Sequence, residues 1–540
     1  MIAAALLSVL ALSAAVAAPQ EPALIVRGAF VHTGTNALWR GDLVVEHGRF
    51  AAGDRAPTAE AATLDCDGGF VTPGLHDAHG HLLGLGTALA EVDLAGAPSF
   101  AAVVDRVRAA AAQRPAGEWI LGRGWDQNRW PDKAMPHHRE LSAAVPDHPV
   151  WLVRVDGHAG LANARALAAA GIARGSSAPA GGEILVDGAG EPTGVLVDAA
   201  MQAVPVPPLT PAQVRARLLA AHDECLRHGL TCVHDAGVAA ATLEQMVALH
   251  AEGRWRLRTY VLLAASEREL IARGPWQTGD GLIVVRAVKA MADGALGSRG
   301  AALLEPYADR PGYRGLVGMP KGAVQALAQF CADHGMQLCT HAIGDAANRT
   351  VLDAYAAVQV AGGLAPRRFR IEHAQVIAAD DFARFAALGV LASMQPTHLT
   401  SDMPWAPDRL GPERTSRAYA FRTFLRHGVV VPFGSDFPVE PVDPRLGLHA
   451  ATTTRGPGSP PAGWRPDQKL SREEALRGFT LHAAWAMHAE AELGTIEPGK
   501  IADFTVWDRD LRTCSDDELL RAKVLLTVVA GRVVYDGRSR

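Results

Sequence analysis

Two kinds of hydrophobic pattern divide this chain. Between Pro22 and Phe50, ALIVRGAFVHTG and GDLVVEHGRF alternate apolar and polar residues over short stretches with turns between them, the period-two pattern of half-buried strands. Near the other end, IADFTVWD and KVLLTVVAGRVVYDG have the same character. Strands at both ends around a long, different middle predict one small β domain, a β-sandwich, built from residues 22–68 and 491–540. The middle instead carries apolar runs that end in polar residues, most of them followed by an Ala/Leu-rich helical pattern. In order they are GFVTPGLHDAH, GLTCVHDAG, RLRTYVLL, LIVVRAVKAMADG, MQLCTHAIGD, RFRIEHAQ, GVLASMQPTH and GVVVPFGSDFPVE. Eight βα-like units are what a parallel (β/α)8 TIM barrel requires, here over residues 69–490 of an α/β protein. Roughly a hundred residues separate the first run from the second, too many for an ordinary connection. Residues 84–205 are therefore expected to form an inserted subdomain after the first barrel strand.

Composition narrows the partners. With 540 residues, 49% apolar and 20% charged, the chain has the make-up of a globular enzyme, and a formal charge of -5 provides no basic field for nucleic acid. Residues 2–18 are uncharged, apolar and Ala-rich, and resemble a signal peptide (residues 1–17) that would direct the protein to the periplasm or outside the cell. Retention of this segment as an anchor is the alternative; after its removal no stable membrane span is expected. The six cysteines form no C-x-x-C pair and fall mainly in apolar segments, which favours buried free thiols over a disulfide framework.

In a parallel barrel, chemistry gathers where the C-terminal ends of the strands converge. His79 and His81 end the first run, Lys289 the fourth, His341 the fifth, His373 the sixth and Asp436 the eighth. An i, i+2 pair at a strand end points two imidazoles the same way, so both can reach one metal ion. One histidine among 21 would mean little; a H-x-H pair with further matching strand ends predicts a metal site. His137-His138 sits in a polar loop and is read as structural, whereas His234, Gln395 and His398 lie near strand ends as second-layer or substrate contacts. In the insertion, Trp125 of GWDQNRW and Asp156 and His158 of RVDGH are candidate substrate contacts, with core packing or a turn as the alternative.

These motifs carry a family resemblance. PGLHDAHGH, the Lys in VKAMADG, the His in THAIGD, the His in IEHAQ, the Asp in GSDFPVE and the late GTIEPGKIADFTVWD resemble the amidohydrolase superfamily. WILGRGWDQNRW, RVDGHAGLAN and KAMADGALGSRGA are similar to amidohydrolase family 3, the branch that includes N-substituted formamide deformylases. Met291 departs from the Phe usual there. The resemblance implies two divalent ions, zinc first, though imidazole and carboxylate also suit manganese, iron or nickel. It places His79, His81 and Asp436 on one ion, and His341 and His373 on the other. Lys289 would bridge them as a carboxylated (carbamylated) lysine, the alternative being an unmodified Lys289 beside a single metal. Metal lowers the pKa of bound water from about 15.7 towards about 7, and Asp436 would take its proton and return it to the leaving amine. The expected activity is metal-dependent hydrolysis of a non-peptide, amide-type C–N bond through a metal-bound hydroxide, on a small-molecule substrate. Hydrolysis of a cyclic amide, ester or lactone, and a non-catalytic binding barrel, are the other readings. Beyond substrate, the partners expected are further copies of the chain, in a homo-oligomer.

Overall fold

The computed structural model of the chain describes residues 23–35, 37–52, 61–66, 68–127, 130–154, 159–179, 182–297 and 299–538. The expected signal peptide lies outside these residues, as do Asp156 and His158. The chain up to Leu82 and the chain from Ala221 onward form one compact unit, and Leu83–Ala220 forms another.

In the first unit, seven parallel strands follow one another around a barrel: Leu75–Gly80, Leu230–Val238, Arg258–Ala264, Ile283–Met291, Gln337–Ala342, Arg370–His373 and Leu391–Ser393. Their register pairs Cys232 with His76, Ala264 with Lys289, Met291 with His341 and His341 with Glu372. Almost every position in them is buried, so they read in sequence as continuous apolar runs rather than alternating ones. Residues 429–434 close the circle without a regular ladder. On one side Ala392 N donates to Val430 O and Met394 N to Pro432 O; on the other Ala78 N donates to Phe433 O. Pro432 has no N–H to offer, which thins the pairing at this eighth position. Outer helices show the expected stripe. In Lys321–Asp333 the buried residues Val324, Leu327, Ala328 and Cys331 recur at helical spacing.

The run GFVTPGLHDAH is two elements. Phe70–Pro73 belongs to the terminal sheet and Leu75–Gly80 to the barrel. Gly74 between them has no room for a side chain against Thr231, and its N–H donates to Asp503 O. Both chain ends meet here, because Phe70–Pro73 pairs with Phe504–Trp507 on one side and with Leu24–His32 on the other. The described strands of this domain join into one eight-stranded hydrogen-bonded sheet. Val26, Val31, Phe50, Phe504 and Val528 lie in its core.

Among its described residues the second unit carries a six-stranded mixed sheet from Val92–Asp93 to Pro192–Asp198 with its own core, which includes Trp125, Trp130, Leu152 and Leu161. All six cysteines are free, and five of them are buried. No helix among the described residues is long and apolar enough to cross a membrane.

Candidate active site

The first barrel strand delivers His79 inward and is followed at once by His81. Gly80 between them is packed so tightly against the Phe437 ring that a Cβ would collide with it. Gly434, before Asp436, similarly leaves no room between its Cα and the His79 backbone. This closeness lets Asp436 N donate to His79 O at 2.7 Å and brings the carboxylate over the histidines. Asp436 Oδ1 lies 3.1 Å from His81 Nε2 and 3.6 Å from His79 Nε2. Lys289 Nζ is 3.0 Å from His79 Nε2, and the His373 ring centroid is 5.0 Å from that of His79 and 4.5 Å from that of His341. The six residues that the sequence selected thus converge at one end of the barrel. His373 (φ 71°) and Asp436 (φ 62°) both hold left-handed backbone that L-residues seldom adopt, the kind of strain that gathers at working sites.

Each imidazole is oriented from behind. His79 donates Nδ1–H to Glu372, His81 donates to Ala236 O at 2.8 Å, His373 donates to Gln395 Oε1 at 2.8 Å, and His341 bonds the Gly294 backbone. With Nδ1–H so engaged, His79, His81 and His373 turn the Nε2 lone pair towards the centre. Nε2 of His341 and of His398 is buried with no hydrogen-bond partner among the described residues, and His341 Nε2 stands 3.4 Å from Asp293. Burial, with the nearby Lys289, holds His79 down at about 4 and His341 at about 3; burial puts His373 well below its ordinary value too. Burial lowers His81 too, but the Asp436 carboxylate outweighs it and raises that imidazole; with the three lowered imidazoles, the carboxylate and a buried lysine, it completes a donor set that fits divalent cations. Burial pushes the Asp436 carboxyl up, but the imidazoles of His81, His79 and His398 outweigh it and hold the group at about 2, ionised.

Among the described residues three sets of possible ligand atoms lie within 4.8 Å of one another; besides His76, Cys232 and His234 they are His79, His81 and Asp436, and His373, His398 and Asp436. His398, expected as a substrate contact, therefore stands beside Asp436 at 3.8 Å as a further candidate ligand. Gln395, also expected to touch substrate, is engaged instead in fixing His373. Trp125 is 1% exposed in the core of the inserted unit and donates Nε1–H to Leu152 O at 2.8 Å, which is a packing role. His234 is buried behind the site and accepts from Arg370 at 3.0 Å; His137 caps the helix His138–Ala144.

Sequence reasoning missed the second layer. Arg370 clamps Glu372 through both carboxylate oxygens (2.7 and 2.9 Å), and all of these atoms are shut off from solvent. Asp293 accepts from the N–H groups of Ile343, Gly344 and Ala302 and so ties together the loops beside His341. Asp77 accepts from Ser435 N and Oγ and from His79 N, which joins the first strand to the segment before Asp436. All of these residues except Ala302 sit inside the quoted motifs; only their partners across the barrel were invisible.

The family model described as the amidohydrolase family matches residues 62–535. The chain is 35% identical over 493 residues to the protein LONG AFTER FAR-RED 3 of Arabidopsis thaliana, covering 87% of this chain and 83% of that one. It is 29% identical over 508 residues to the N-substituted formamide deformylase of Arthrobacter pascens, covering 90% and 91%. Among solved structures, an uncharacterised metal-dependent hydrolase from Pyrococcus horikoshii OT3 superposes with a TM-score of 0.77 at 27% identity, over 92% of this chain and 99% of that one. With a match this long on a barrel whose strand ends converge on the expected histidines, lysine and aspartate, the chain belongs to the metal-dependent amidohydrolase family.

Proposed function

We propose that the protein hydrolyses a non-peptide, amide-type C–N bond of a small molecule, using two zinc ions bridged by a carboxylated Lys289. The observation that carries this reading is the set of imidazoles whose Nδ1–H groups are engaged outward while their Nε2 atoms face one centre. His79, His81 and Asp436 would hold one ion, and His341 and His373 the other, with His398 close enough to join. Bound ions of this kind supply an acidified water and an electrophile for the carbonyl oxygen.

The residues themselves account for the rest. Burial lowers the Lys289 pKa, so its amine is more readily neutral, the form that adds to carbon dioxide. That addition forms an N–C bond, releases one proton and leaves an anionic carbamate suited to a dication. Asp436 is ionised and 8% exposed, able to accept the proton of the attacking water at a carboxylate oxygen and hand it to the departing nitrogen. The relative from Arthrobacter pascens is named for deformylation of N-substituted formamides, which supports C–N hydrolysis here. Export to the periplasm or medium, through removal of residues 1–17, belongs to the same proposal, as does assembly into a homo-oligomer.

Elemental analysis of the purified protein, with a substrate panel of N-substituted formamides, other N-acyl compounds, cyclic amides, esters and lactones, tests the proposal. The expected result is two divalent ions per chain and turnover of an open-chain amide that chelation abolishes and metal restores. Turnover confined to esters or lactones would overturn the C–N assignment, and one ion per fully active chain would overturn the metal pair.

A further inference from the structure

At the other end of the barrel from the catalytic residues lies a cavity of about 790 Å³. Its floor comes from the N-terminal approaches to two barrel strands: Arg256 and Arg258 at the start of Arg258–Ala264, and Gly279, Asp280 and Leu282 before Ile283–Met291. Two hairpin turns of the terminal sheet form the opposite wall. In both turns two consecutive residues have positive φ, His47 (51°) and Gly48 (73°) in one, Ala530 (49°) and Gly531 (77°) in the other. This is the left-handed pair of a tight hairpin, which favours Asn, Asp or Gly over His or Ala. An arginine follows each pair, Arg49 and Arg532. The turns pack tip to tip, since a Cβ on Gly48 would lie 2.8 Å from Ala530 O and one on Gly531 would lie 2.9 Å from Gly48 Cα. The two returning strands therefore bring their guanidinium groups to one wall.

The lining holds four arginines, Arg49, Arg256, Arg258 and Arg532, and the imidazoles of His47 and His250, against a single carboxylate, Asp280. Part of that charge is already matched. Arg258 is paired with Asp503 at 2.8 and 3.2 Å, Arg49 with Glu492 at 2.6 Å, and Asp280 with His250 at 2.8 Å. Arg256 makes no ion pair among the described residues, so the lining keeps a surplus of positive charge around an open volume. A guanidinium fork matches the oxygens of a phosphate better than any other common anion contact, and the volume suits a small organic ligand.

We infer that this cavity binds a phosphorylated small molecule of sugar-phosphate size, with Arg256 as its principal phosphate contact and His47 facing it from the hairpin wall. The test is isothermal titration of the full-length, metal-loaded protein with ribose 5-phosphate, with ribose and inorganic phosphate as separate probes. Ribose 5-phosphate should bind and ribose should not. Raising salt from about 50 to about 500 mM should weaken binding. Inorganic phosphate binding as tightly as the ester would assign the site to the free ion and overturn the sugar-phosphate size class. Arg256→Glu should weaken ribose 5-phosphate at least about 10-fold, as expected for losing a charge-assisted contact and gaining a repulsive one, while hydrolytic turnover stays unchanged. His47→Asp, on the exposed turn, should weaken it in the same direction and guards against misfolding of the first variant. Superimposable isotherms for wild type and both variants would place any bound phosphate elsewhere, at the metal centre for example, and overturn the inference, as would absence of binding to the wild type.

Discussion

Replacing Glu372 by Gln asks how much of the metal site is built by a residue that touches no substrate. The Glu372 carboxylate accepts three N–H groups: Arg370 Nε on one oxygen, and Arg370 Nη2 and His79 Nδ1 on the other. A glutamine offers one acceptor oxygen and one NH2. With its oxygen kept on the shared side, its NH2 faces Arg370 Nε–H, donor against donor. Arg370, wholly buried, also loses its carboxylate partner. Leaving one member of a buried ion pair uncompensated costs about 3–5 kcal/mol of stability. Separately, loss of an outer partner from a metal-ligating imidazole lowers metal affinity about 10–100-fold, or about 1.4–2.7 kcal/mol at 1.36 kcal/mol per decade. Denaturant unfolding of metal-free protein measures the first, and competition with a chromophoric chelator measures the second. Both should fall. An unchanged metal affinity in a destabilised Glu372→Gln protein would refute the orienting role, and a protein unchanged in both would refute the buried clamp itself.

The remaining predictions follow from the same contacts. Lys289→Ala should lose metal and activity, with partial recovery on adding a short carboxylate; Lys289→Arg should not recover, because a guanidinium stays charged and cannot ligate, and normal turnover in either without added acid contradicts the bridge. Gly80→Ala places a methyl group against the Phe437 ring, so about 1–3 kcal/mol of destabilisation and a lower metal content by elemental analysis are expected, and wild-type values of both would contradict the close approach. Glu224 is held at about 2, well below the ordinary carboxyl value of 4.5, by hydrogen bonds from His228 and then Arg227. A lowered carboxyl pKa stabilises the fold above 4.5, and that contribution is lost as pH falls towards 2. The stability advantage of wild type over Glu224→Gln in urea unfolding should therefore be full at neutral pH and shrink across that window; a constant difference would contradict it.

Much of the barrel was legible because its strands are buried on both faces and so stand out as apolar runs with polar ends. The strand ends also gave the six residues that converge at one end of the barrel, since chemistry on a parallel barrel has one usable face. What escaped reading has physical reasons. The junction at Gly74 looks like the interior of one strand, because a glycine required by the approach of Thr231 resembles any other glycine. Pro432 sits in a run that reads as a strand, yet without an N–H it leaves only scattered bonds at the eighth position. Arg370 and Glu372 are charged residues inside RFRIEH, and charge in sequence ordinarily signals exposure. Their complete burial makes sense only once each is seen to neutralise the other and to orient His79. His398 ends the run GVLASMQPTH and reads as a contact near a strand end, but its place 3.8 Å from Asp436, on the helix Pro396–Asp402, shows only in three dimensions. The six-stranded sheet of Leu83–Ala220 went unread because its described strands are short and interleaved with the helices Phe100–Ala111, His138–Ala144 and Ala164–Ala169.

The claim at the centre of this account is that Asp436 carries a proton in the hydrolysis of an amide-type bond as well as holding metal. The most direct measurement is single-turnover and steady-state kinetics of Asp436→Asn on an N-substituted formamide, alongside its metal content. Asparagine keeps the size and one ligand oxygen of Asp436 but has no useful basicity. The account predicts metal content close to wild type and a fall in kcat of at least about 100-fold, with little change in KM, because the proton transfer belongs to the transition state. Turnover by Asp436→Asn near the wild-type rate would contradict it, even with both metals in place.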